Sequence, residues 1–369
     1  RGLGDVYKRQ DHDLAVQMGR HAEGQLDEHA AGIPLDGGIN KISALRKFND
    51  LVDLGIDLGG TNIVAGVVDE NYKIIAKESC KTNVPRPEEE ICDDMALVAK
   101  KALAAAKLTN DDISFVGIGV PGAVNGETGM IEYAANLGFH NWPIVKMMEE
   151  RLGTKVKIEN DANAAALGEY LAGAAKGSKN AVAITLGTGV GGGIIIDGKI
   201  YSGSNFAGAE LGHTVIVYNG WKCGCGRHGC WEAYASASGL IKMTKEAILA
   251  DSEKGACMLR LVGGDINKVN GITAFNAMRE GDEYGKSVVD KYISYLACGI
   301  TNVINVFQPD VLCIGGGISR EGETLLAPLR AIVEKERYTK HNKKQTKLCA
   351  ATLGNDAGIY GAVRMVLFK

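Results

Sequence analysis

A chain of 369 residues is long for a single hydrophobic core, and this length predicts two domains. Its 46% hydrophobic and 23% charged residues are typical of an ordinary globular protein. The net charge of −3 gives no reason to expect a nucleic acid or an anionic membrane as a partner, and no apolar run is long enough to span a membrane. Nine cysteines, an odd number in a long chain without a secretory signal, favour a reducing, cytoplasmic compartment.

Residues 1–48 differ from the rest of the chain. They contain His12, His21 and His29, three of the seven histidines, and show no sustained apolar period. We therefore expect this leader to be disordered or not part of the native protein, and to be dispensable. The globular part is predicted to begin with the strand at Leu51.

Residues 51–69 predict a strand, a glycine turn and a second strand. The turn, Gly59 to Asn62, offers backbone N–H groups to a phosphate, and no side chain blocks their approach. Asp57 ends the first strand, where its carboxylate could face a metal–phosphate complex. Such hairpins are common, so a purely structural turn remains an alternative. A helix is then predicted over 95–107 and a buried strand over 113–120.

The segment 155–169 predicts a short strand that runs into a helix starting at Asn160 and Asp161. Asn and Asp are preferred N-caps, and a capping role needs no chemistry. A carboxylate at a helix N-terminus is also held ionised by the helix dipole, as a general base should be. Both interpretations of Asp161 stay open on these residues alone.

Residues 181–198 repeat the plan of strand, glycine turn and strand. Two phosphate-compatible hairpins in one chain favour duplicated halves that face one nucleotide. Two matches to the dinucleotide fingerprint, starting at Gly117 and Gly187, are false positives, because that fingerprint requires a helix directly after the turn. A Pro-Gly loop follows the first match and a strand the second. The chain contains no P-loop motif.

Three thiols lie within eight residues at Cys223, Cys225 and Cys230, and His213 lies ten residues before the first. Thiolate and imidazole nitrogen are the ligands of closed tetrahedral zinc sites, and Cys3His is a standard structural set. Interleaved glycines allow the tight turns that would bring the thiols to one ion. The spacing is not that of a zinc finger or ribbon, so three unrelated buried thiols remain an alternative.

The last part of the chain predicts a strand with a glycine turn over 309–319 and a helix over 321–337. A final strand over 347–353 and a closing amphipathic helix over 358–368 complete the predicted elements.

Five motifs in this order resemble the ROK family of sugar kinases, most closely its bacterial glucokinases. They are Asp57-Leu-Gly-Gly-Thr-Asn62, Glu159-Asn-Asp-Ala-Asn163, Leu186-Gly-Thr-Gly-Val-Gly-Gly-Gly193, Glu210-Leu-Gly-His213 and Cys223-x-Cys-Gly-x-x-Gly-Cys-x-Glu232. The resemblance covers residues 51–369. It implies an α/β, actin/hexokinase-like (ribonuclease H-like) two-domain ATPase fold. The implied domains are residues 49–165 with 355–369, and residues 166–354 with the zinc loop.

The resemblance also implies an activity, the ATP-dependent phosphorylation of glucose at its 6-hydroxyl, and roles for individual residues. Asp161 would be the general base and Asp57 would hold Mg²⁺. The implied phosphate ligands are Gly60, Thr61, Asn62, Thr188 and Gly189, and the adenosine ligands are Gly315 and Gly316. The implied sugar ligands are Asn136, Asn160, Asp161, Glu210, His213 and Glu232. His213 would also bind a structural Zn²⁺ together with Cys223, Cys225 and Cys230.

Several alternatives stay open beside this interpretation. The acceptor could be fructose, mannose, N-acetylglucosamine or N-acetylmannosamine, and the donor polyphosphate or ADP. ROK-type transcriptional repressors and non-catalytic sugar-binding proteins are further alternatives, although the leader lacks a helix-turn-helix pattern. Ala134-Ala-Asn136 stands where the family often has Pro-Asn, so this loop is expected to be less rigid. A homodimer or homotetramer is expected.

Overall fold

The computed structural model describes residues 52–134 and 137–365. The leader over residues 1–48, and the predictions made for it, lie outside this described part. Within it, no helix is both long enough and apolar enough to cross a lipid bilayer.

The described part contains strands and helices in a mixed order, with strands grouped at the start of each half. The strands are β1 (Val52–Leu58), β2 (Asn62–Val68), β3 (Ile74–Lys81), β4 (Ile113–Val120), β5 (Ala123–Asn125), β6 (Met130–Ala134), β7 (Phe139–Trp142), β8 (Val156–Asn160), β9 (Ala181–Leu186), β10 (Val190–Ile196), β11 (Lys199–Ile200), β12 (Val311–Gly316) and β13 (Lys347–Ala350). The helices are α1 (Glu88–Ala105), α2 (Ile144–Leu152), α3 (Asp161–Leu171), α4 (Trp231–Ala235), α5 (Ala237–Ala250), α6 (Ala256–Leu261), α7 (Thr273–Arg279), α8 (Glu283–Phe307), α9 (Glu323–Glu336) and α10 (Ala357–Ala362).

Two five-stranded sheets share one plan. The first has the order β3-β2-β1-β4-β8 and the second the order β11-β10-β9-β12-β13. In each, an antiparallel hairpin (β1–β2 or β9–β10) is joined to two further strands that run parallel to the hairpin's first strand. A small sheet of β5, β6 and β7 is attached to the first half. The two predicted glycine hairpins, and the duplication that they indicate, are therefore confirmed.

The mixed α/β sheets also confirm the predicted fold class, while several element boundaries differ from the prediction. Helix α1 begins at Glu88, seven residues before the predicted start, directly after Pro87. Three glutamates in its first turn favour that start, because negative side chains stabilise a helix N-terminus. The predicted helix over 321–337 is α9, which starts at Glu323 after a 3-10 turn over Ile318–Glu321.

The last predicted strand and the closing helix are shorter than expected. Strand β13 ends at Ala350. The N–H of Ala351 still donates to the Ile314 carbonyl oxygen of β12, but the N–H groups of Thr352 and Leu353 donate hydrogen bonds to the carboxylate of Glu169. Helix α10 ends at Ala362, and residues 366–368 of the predicted helix lie outside the described part.

Helix α10 packs with its backbone directly against its neighbours. A Cβ placed on Gly117 of β4 would lie 1.7 Å from the Ala362 carbonyl oxygen. A Cβ on Gly361 would likewise lie 1.7 Å from the Ala164 carbonyl oxygen of α3. Glycine is thus required for this approach of α10 to both the first sheet and α3. The proposed domain boundary at 165/166 falls inside α3 and stays a prediction.

Candidate functional site

A cleft of about 730 Å³ is lined by residues from both large sheets. Most of the residues predicted for the site line it: Asp57, Asn160, Asp161, Gly189, Glu210, His213, Glu232, Gly315 and Gly316. Asp57, Asn160, Asp161, Gly189, Gly315 and Gly316 lie at or next to the ends of β1, β8, β9 and β12, whereas Glu210 and His213 lie at the 3-10 turn Leu211–His213 and Glu232 lies in α4. Strands that run parallel to one another end at the same edge of their sheet.

Some predicted residues are not part of this lining. Gly60 and Thr61 lie in the turn between β1 and β2, and Asn62 is the first residue of β2. In this turn only Gly59 is among the described residues that line the cleft. Thr188 instead lines a neighbouring pocket of about 280 Å³ that shares Glu232 with the cleft. Asn136 lies outside the described residues.

Asn160 caps helix α3, and Asp161 is the first residue of that helix. The Asn160 Oδ1 accepts hydrogen bonds from the N–H groups of Ala162 at 2.9 Å and Asn163 at 3.2 Å. Its Nδ2 donates to the carbonyl oxygen of Gly122 at 3.0 Å. The Asp161 Oδ1 accepts a bond from the N–H of Ala162 at 2.8 Å. The N-cap is therefore Asn160. Asp161 is not the cap of the helix, and its carboxylate faces the cleft.

Burial and neighbouring negative charge act on both cleft aspartates. Burial raises the pKa of Asp161, and the nearby Glu210 raises it further, against the lowering effect of the Ala162 N–H. The pKa of Asp57 is raised to about 6, mainly by burial and then by the charges of Asp161 and Asp356. Negative charge that is crowded in this way favours a bound cation.

Asp57 is held between two glycines. A Cβ on Gly358 of α10 would lie 3.1 Å from the Asp57 carboxylate, and one on Gly119 of β4 would lie 3.9 Å from its Oδ1. Asp356, which precedes α10, pairs with Lys77 of β3 at 2.6 Å. The carboxylate of Asp57 thus lies close to the backbone of α10 and β4 and borders the cleft.

The predicted zinc ligands lie together. One ligand atom each from His213, Cys223, Cys225 and Cys230 falls within 4.8 Å of the others. The Cys225 and Cys230 sulfur atoms are 3.7 Å apart, and the Cys223 sulfur is 3.6 Å from His213 Nδ1. In a tetrahedral site with Zn–S of about 2.3 Å and Zn–N of about 2.0 Å, these separations are about 3.8 and 3.6 Å. The four donors therefore fit a zinc ion.

The donor cluster is connected to the cleft through His213 and Glu232. The second ring nitrogen of His213, Nε2, lies 3.9 Å from Glu210 Oε2. Glu232 places its Oε1 3.4 Å from the Cys223 sulfur, and its Oε2 accepts a bond from the Val190 N–H at 3.1 Å. Anything that orders the cysteine loop therefore also orders these cleft side chains.

The turn after β9 must approach Glu232 closely. A Cβ on Gly189 would lie 2.4 Å from Glu232 Oε2, so a larger residue would displace that carboxylate. Glycine at this position therefore has two possible reasons: this close contact, and the open approach for a phosphate that the sequence indicates.

Sequence reasoning missed Glu169, a buried residue of α3 that reaches the cleft. Its carboxylate accepts hydrogen bonds from the N–H groups of Ala174, Thr352 and Leu353 at 2.8–3.1 Å. The signal for it was a single glutamate in an alanine-rich helical run, which is an unusual place for a charge. Arg320, which also lines the cleft, carries no comparable signal in the sequence.

Comparison with known proteins gives a consistent result. The model of the ROK family matches residues 53–369. A glucokinase of Streptomyces coelicolor is 37% identical over 309 residues, which cover 84% of this chain and 95% of that protein. A crystal structure of a ROK family glucokinase from Streptomyces griseus, in complex with glucose and AMPPNP, superposes with a TM-score of 0.72 at 36% identity. The match covers 85% of this chain and 98% of that one.

Less similar proteins carry other names. An N-acetyl-D-glucosamine kinase of Vibrio atlanticus is 29% identical over 84% of this chain and 97% of its own length. A xylose repressor of Bacillus spizizenii is 29% identical over 85% of this chain and 76% of its own length.

Proposed function

This chain belongs to the ROK family, and we propose that it is a sugar kinase that transfers the γ-phosphate of ATP to the 6-hydroxyl of glucose. The observation that carries the proposal is the position of Asp161. Its carboxylate lies on the cleft at the start of α3, while the neighbouring Asn160 performs the capping. The similar glucokinases support glucose as the acceptor.

In the proposed reaction, Asp161 accepts the proton of the sugar 6-hydroxyl through a carboxylate oxygen. The oxygen of that hydroxyl forms a bond to the γ-phosphorus as the bond from phosphorus to the bridging oxygen of ADP breaks. Because burial raises the pKa of Asp161, this base is lost by protonation at a higher pH than for an exposed aspartate. The backbone turns after β1 and β9 would hold the phosphates through N–H groups.

The residues around Asp57 fit a magnesium ion. Magnesium binds through one or two carboxylates together with phosphates and water. Burial, followed by the charges of Asp161 and Asp356, raises the pKa of Asp57, so a divalent cation there would relieve repulsion between these carboxylates. When bound, Mg²⁺ neutralises the charge that develops on the transferred phosphate. Asp57 would hold it, directly or through water.

The zinc ion that fits the four donors would be structural. All four positions of a tetrahedral ion would be occupied by His213 and the three cysteines, which leaves no place for a reactive water. His213 would bind zinc through Nδ1 and keep Nε2 for the cleft, beside Glu210. The ion would thereby fix the orientation of a sugar-binding imidazole.

The proposed sugar ligands approach from both halves of the protein. Asn160 and Asp161 belong to the first half, and Glu210, His213 and Glu232 to the second. Carboxylates and an imidazole accept and donate the hydrogen bonds that sugar hydroxyls make. Asn136, which lies outside the described residues, is the remaining sugar ligand that the resemblance implies.

A coupled assay with ATP across glucose, fructose, mannose, N-acetylglucosamine and N-acetylmannosamine tests this proposal. We expect the highest kcat/KM for glucose. The likeness to an N-acetyl-D-glucosamine kinase favours that sugar as the second candidate, and a higher kcat/KM for it would replace glucose. Binding of glucose without turnover of any sugar would contradict the kinase and favour a sugar-responsive regulator.

A further inference from the structure

Arg320 lines the cleft with a free guanidinium group. It lies in the 3-10 turn Ile318–Glu321 that follows β12, and its side chain is exposed. In the part of the chain that the structure describes, its side chain has no hydrogen bond and no ion pair. The adjacent carboxylate of Glu321 is paired with Arg279, so it does not compete for Arg320. The guanidinium is therefore available to a ligand.

Arg320 is also the one permanent cation in this lining, as far as the described residues go. The other ionisable groups that line the cleft are His213 and the carboxylates of Asp57, Asp161, Glu169, Glu210 and Glu232. A guanidinium stays charged at any physiological pH. Its position along the cleft therefore decides which part of a nucleotide it meets.

Arg320 lies at the end of the cleft that is remote from Asp161. The first turn of α3 packs on β10, where a Cβ on Gly191 would lie 3.4 Å from the Ala162 Cβ. Arg320 follows β12, and β9 separates β12 from β10. At about 4.8 Å between neighbouring strands, the two spacings from β10 to β12 place the first turn of α3 and Arg320 roughly 10 Å apart. A nucleotide with its γ-phosphate at Asp161 therefore directs its nucleoside toward Arg320.

The wall beside Arg320 is flat and made of small residues. A Cβ on Gly316, which has a φ of +88°, would lie 2.3 Å from the Leu186 carbonyl oxygen, so only glycine fits there. A Cβ on Gly315 would be 3.3 Å from the Cβ of Ala351, which also lines the cleft. Without projecting side chains, this wall accepts a planar ring along its surface.

We infer that the guanidinium of Arg320 stacks on the purine ring of the donor nucleotide and selects a nucleoside triphosphate over a bare phosphate chain. The ring would lie between the Gly315–Gly316 wall and the guanidinium plane. Planar arginine stacks on aromatic faces, and lysine does not reproduce this contact. The inference rests on the proposed function, because it takes the γ-phosphate to lie at Asp161.

Calorimetric titration of the full chain with adenosine, ADP and tripolyphosphate, each with Mg²⁺, tests the inference without turnover. In R320A we expect adenosine and ADP to bind about 3- to 10-fold more weakly and tripolyphosphate to bind unchanged. R320K should bind adenosine as weakly as R320A does. R260A removes the same charge from an exposed ion pair with Glu280 and should bind all three ligands like the parent.

Unchanged adenosine and ADP binding in R320A would overturn the inference. So would a loss of tripolyphosphate binding in R320A that R320K restores, because that result assigns Arg320 to the phosphates. A parent protein that binds adenosine through Arg320 but phosphorylates none of the five sugars would refute the proposed kinase and leave this inference standing. A parent that does not bind adenosine would refute the inference itself.

Discussion

At the scale of single residues, Asn160 and Asp161 show how neighbours with similar propensities divide their roles. Either residue type caps a helix well, so the sequence leaves the two roles of Asp161 open. The structure assigns the cap to Asn160, whose Oδ1 accepts bonds from two N–H groups. The stabilisation of the helix start, typically about 1 kcal/mol for a cap, therefore belongs to Asn160. Asp161 is left for another role.

We predict that D161N yields a folded, glucose-binding and nearly inactive protein. An amide cannot accept the hydroxyl proton, so kcat should fall by at least about 10²- to 10⁴-fold, the usual contribution of a general base. Glucose affinity should survive, because an amide still forms hydrogen bonds with a hydroxyl. Coupled assays and calorimetry would measure the two quantities, and the melting temperature would be recorded with them.

The matched variant is N160D, which retains a capping oxygen beside an intact Asp161. It should retain far more activity than D161N, although its melting temperature should fall because a carboxylate cannot donate the bond that Asn160 Nδ2 makes to the Gly122 carbonyl oxygen. Turnover of D161N within about threefold of the parent, against the expected general-base loss, would reject Asp161 as the base.

Asp53 of β1 is a buried carboxylate away from the cleft lining, and it gives a pH prediction for stability. Burial raises its pKa from 3.8 to about 6, although Arg364 at 3.3 Å acts in the opposite direction. The folded protein therefore holds the proton more tightly than the unfolded chain does. This contribution to stability is full at low pH and is lost as the pH rises through about 6.

We accordingly predict that the free energy of unfolding of D53N rises relative to the parent by about 1.4 kcal/mol between pH 5 and pH 8. The effect of Arg364 on the ionised carboxylate is already contained in the pKa of about 6, so the trend of the difference with pH is the relevant quantity. Urea denaturation at several pH values would measure it. A D53N-minus-parent difference that is flat with pH would contradict the prediction.

At the scale of elements, glycine turns and alternating apolar strands were predictable because their signals are local. The ends of elements were less so, because long-range contacts set them. Beyond the end of strand β13 at Ala350, the carboxylate of Glu169, from a helix distant in sequence, accepts hydrogen bonds from the N–H groups of Thr352 and Leu353. No feature of the sequence near Ala350 predicts that contact.

The cysteine loop was likewise predictable from its local sequence only in part. Residue types and spacing indicated the four donors, but the spacing matched no familiar zinc motif. Convergence of the donors depends on the 3-10 turn Leu211–His213, which places His213 Nδ1 3.6 Å from the Cys223 sulfur. The link from this loop to the cleft through Glu232 could be read only from the fold.

We predict that the purified protein carries about one zinc per chain, bound by His213, Cys223, Cys225 and Cys230. In C225S the zinc content, the melting temperature and the glucose affinity should all fall, because the loop that orients His213 loses its anchor. Elemental analysis, thermal unfolding and calorimetry would measure them. C257S, at a cysteine outside the cluster beside Arg260 and Glu280, should match the parent. A fully active preparation with well under one zinc per chain would contradict the prediction.

At the scale of the whole molecule, the cleft depends on both halves and on their direct contact. The β1–β2 and β9–β10 hairpins occupy corresponding places in two sheets of one plan. Helix α10, from the end of the described chain, returns to pack against β4 and α3. The duplication was visible in the sequence as two glycine turns. The resemblance implied that residues 355–369 join the first half, but the close backbone approach of α10 leaves only scattered glycines as its trace in the sequence.

This arrangement leads to a prediction about motion. The proposed sugar ligands Asn160 and Asp161 belong to the first half, whereas Glu210, His213 and Glu232 belong to the second. A sugar that contacts both groups favours the conformation in which they are closest, so we expect the halves to close when glucose binds. Small-angle scattering should show a smaller radius of gyration at saturating glucose.

Fluorescence gives an independent measure of closure, and the structure selects the reporter. Trp142 and Trp231 are fully buried, whereas Trp221 is partly exposed, stacks on Tyr234 and lines the small pocket next to Glu232. Glucose should therefore change mainly the emission of Trp221, and W221F should abolish the change while leaving the scattering response. D161N, which is expected to bind glucose without turnover, should show both responses. Saturating glucose that alters neither the radius of gyration nor the emission would mean that the cleft binds its sugar without closing.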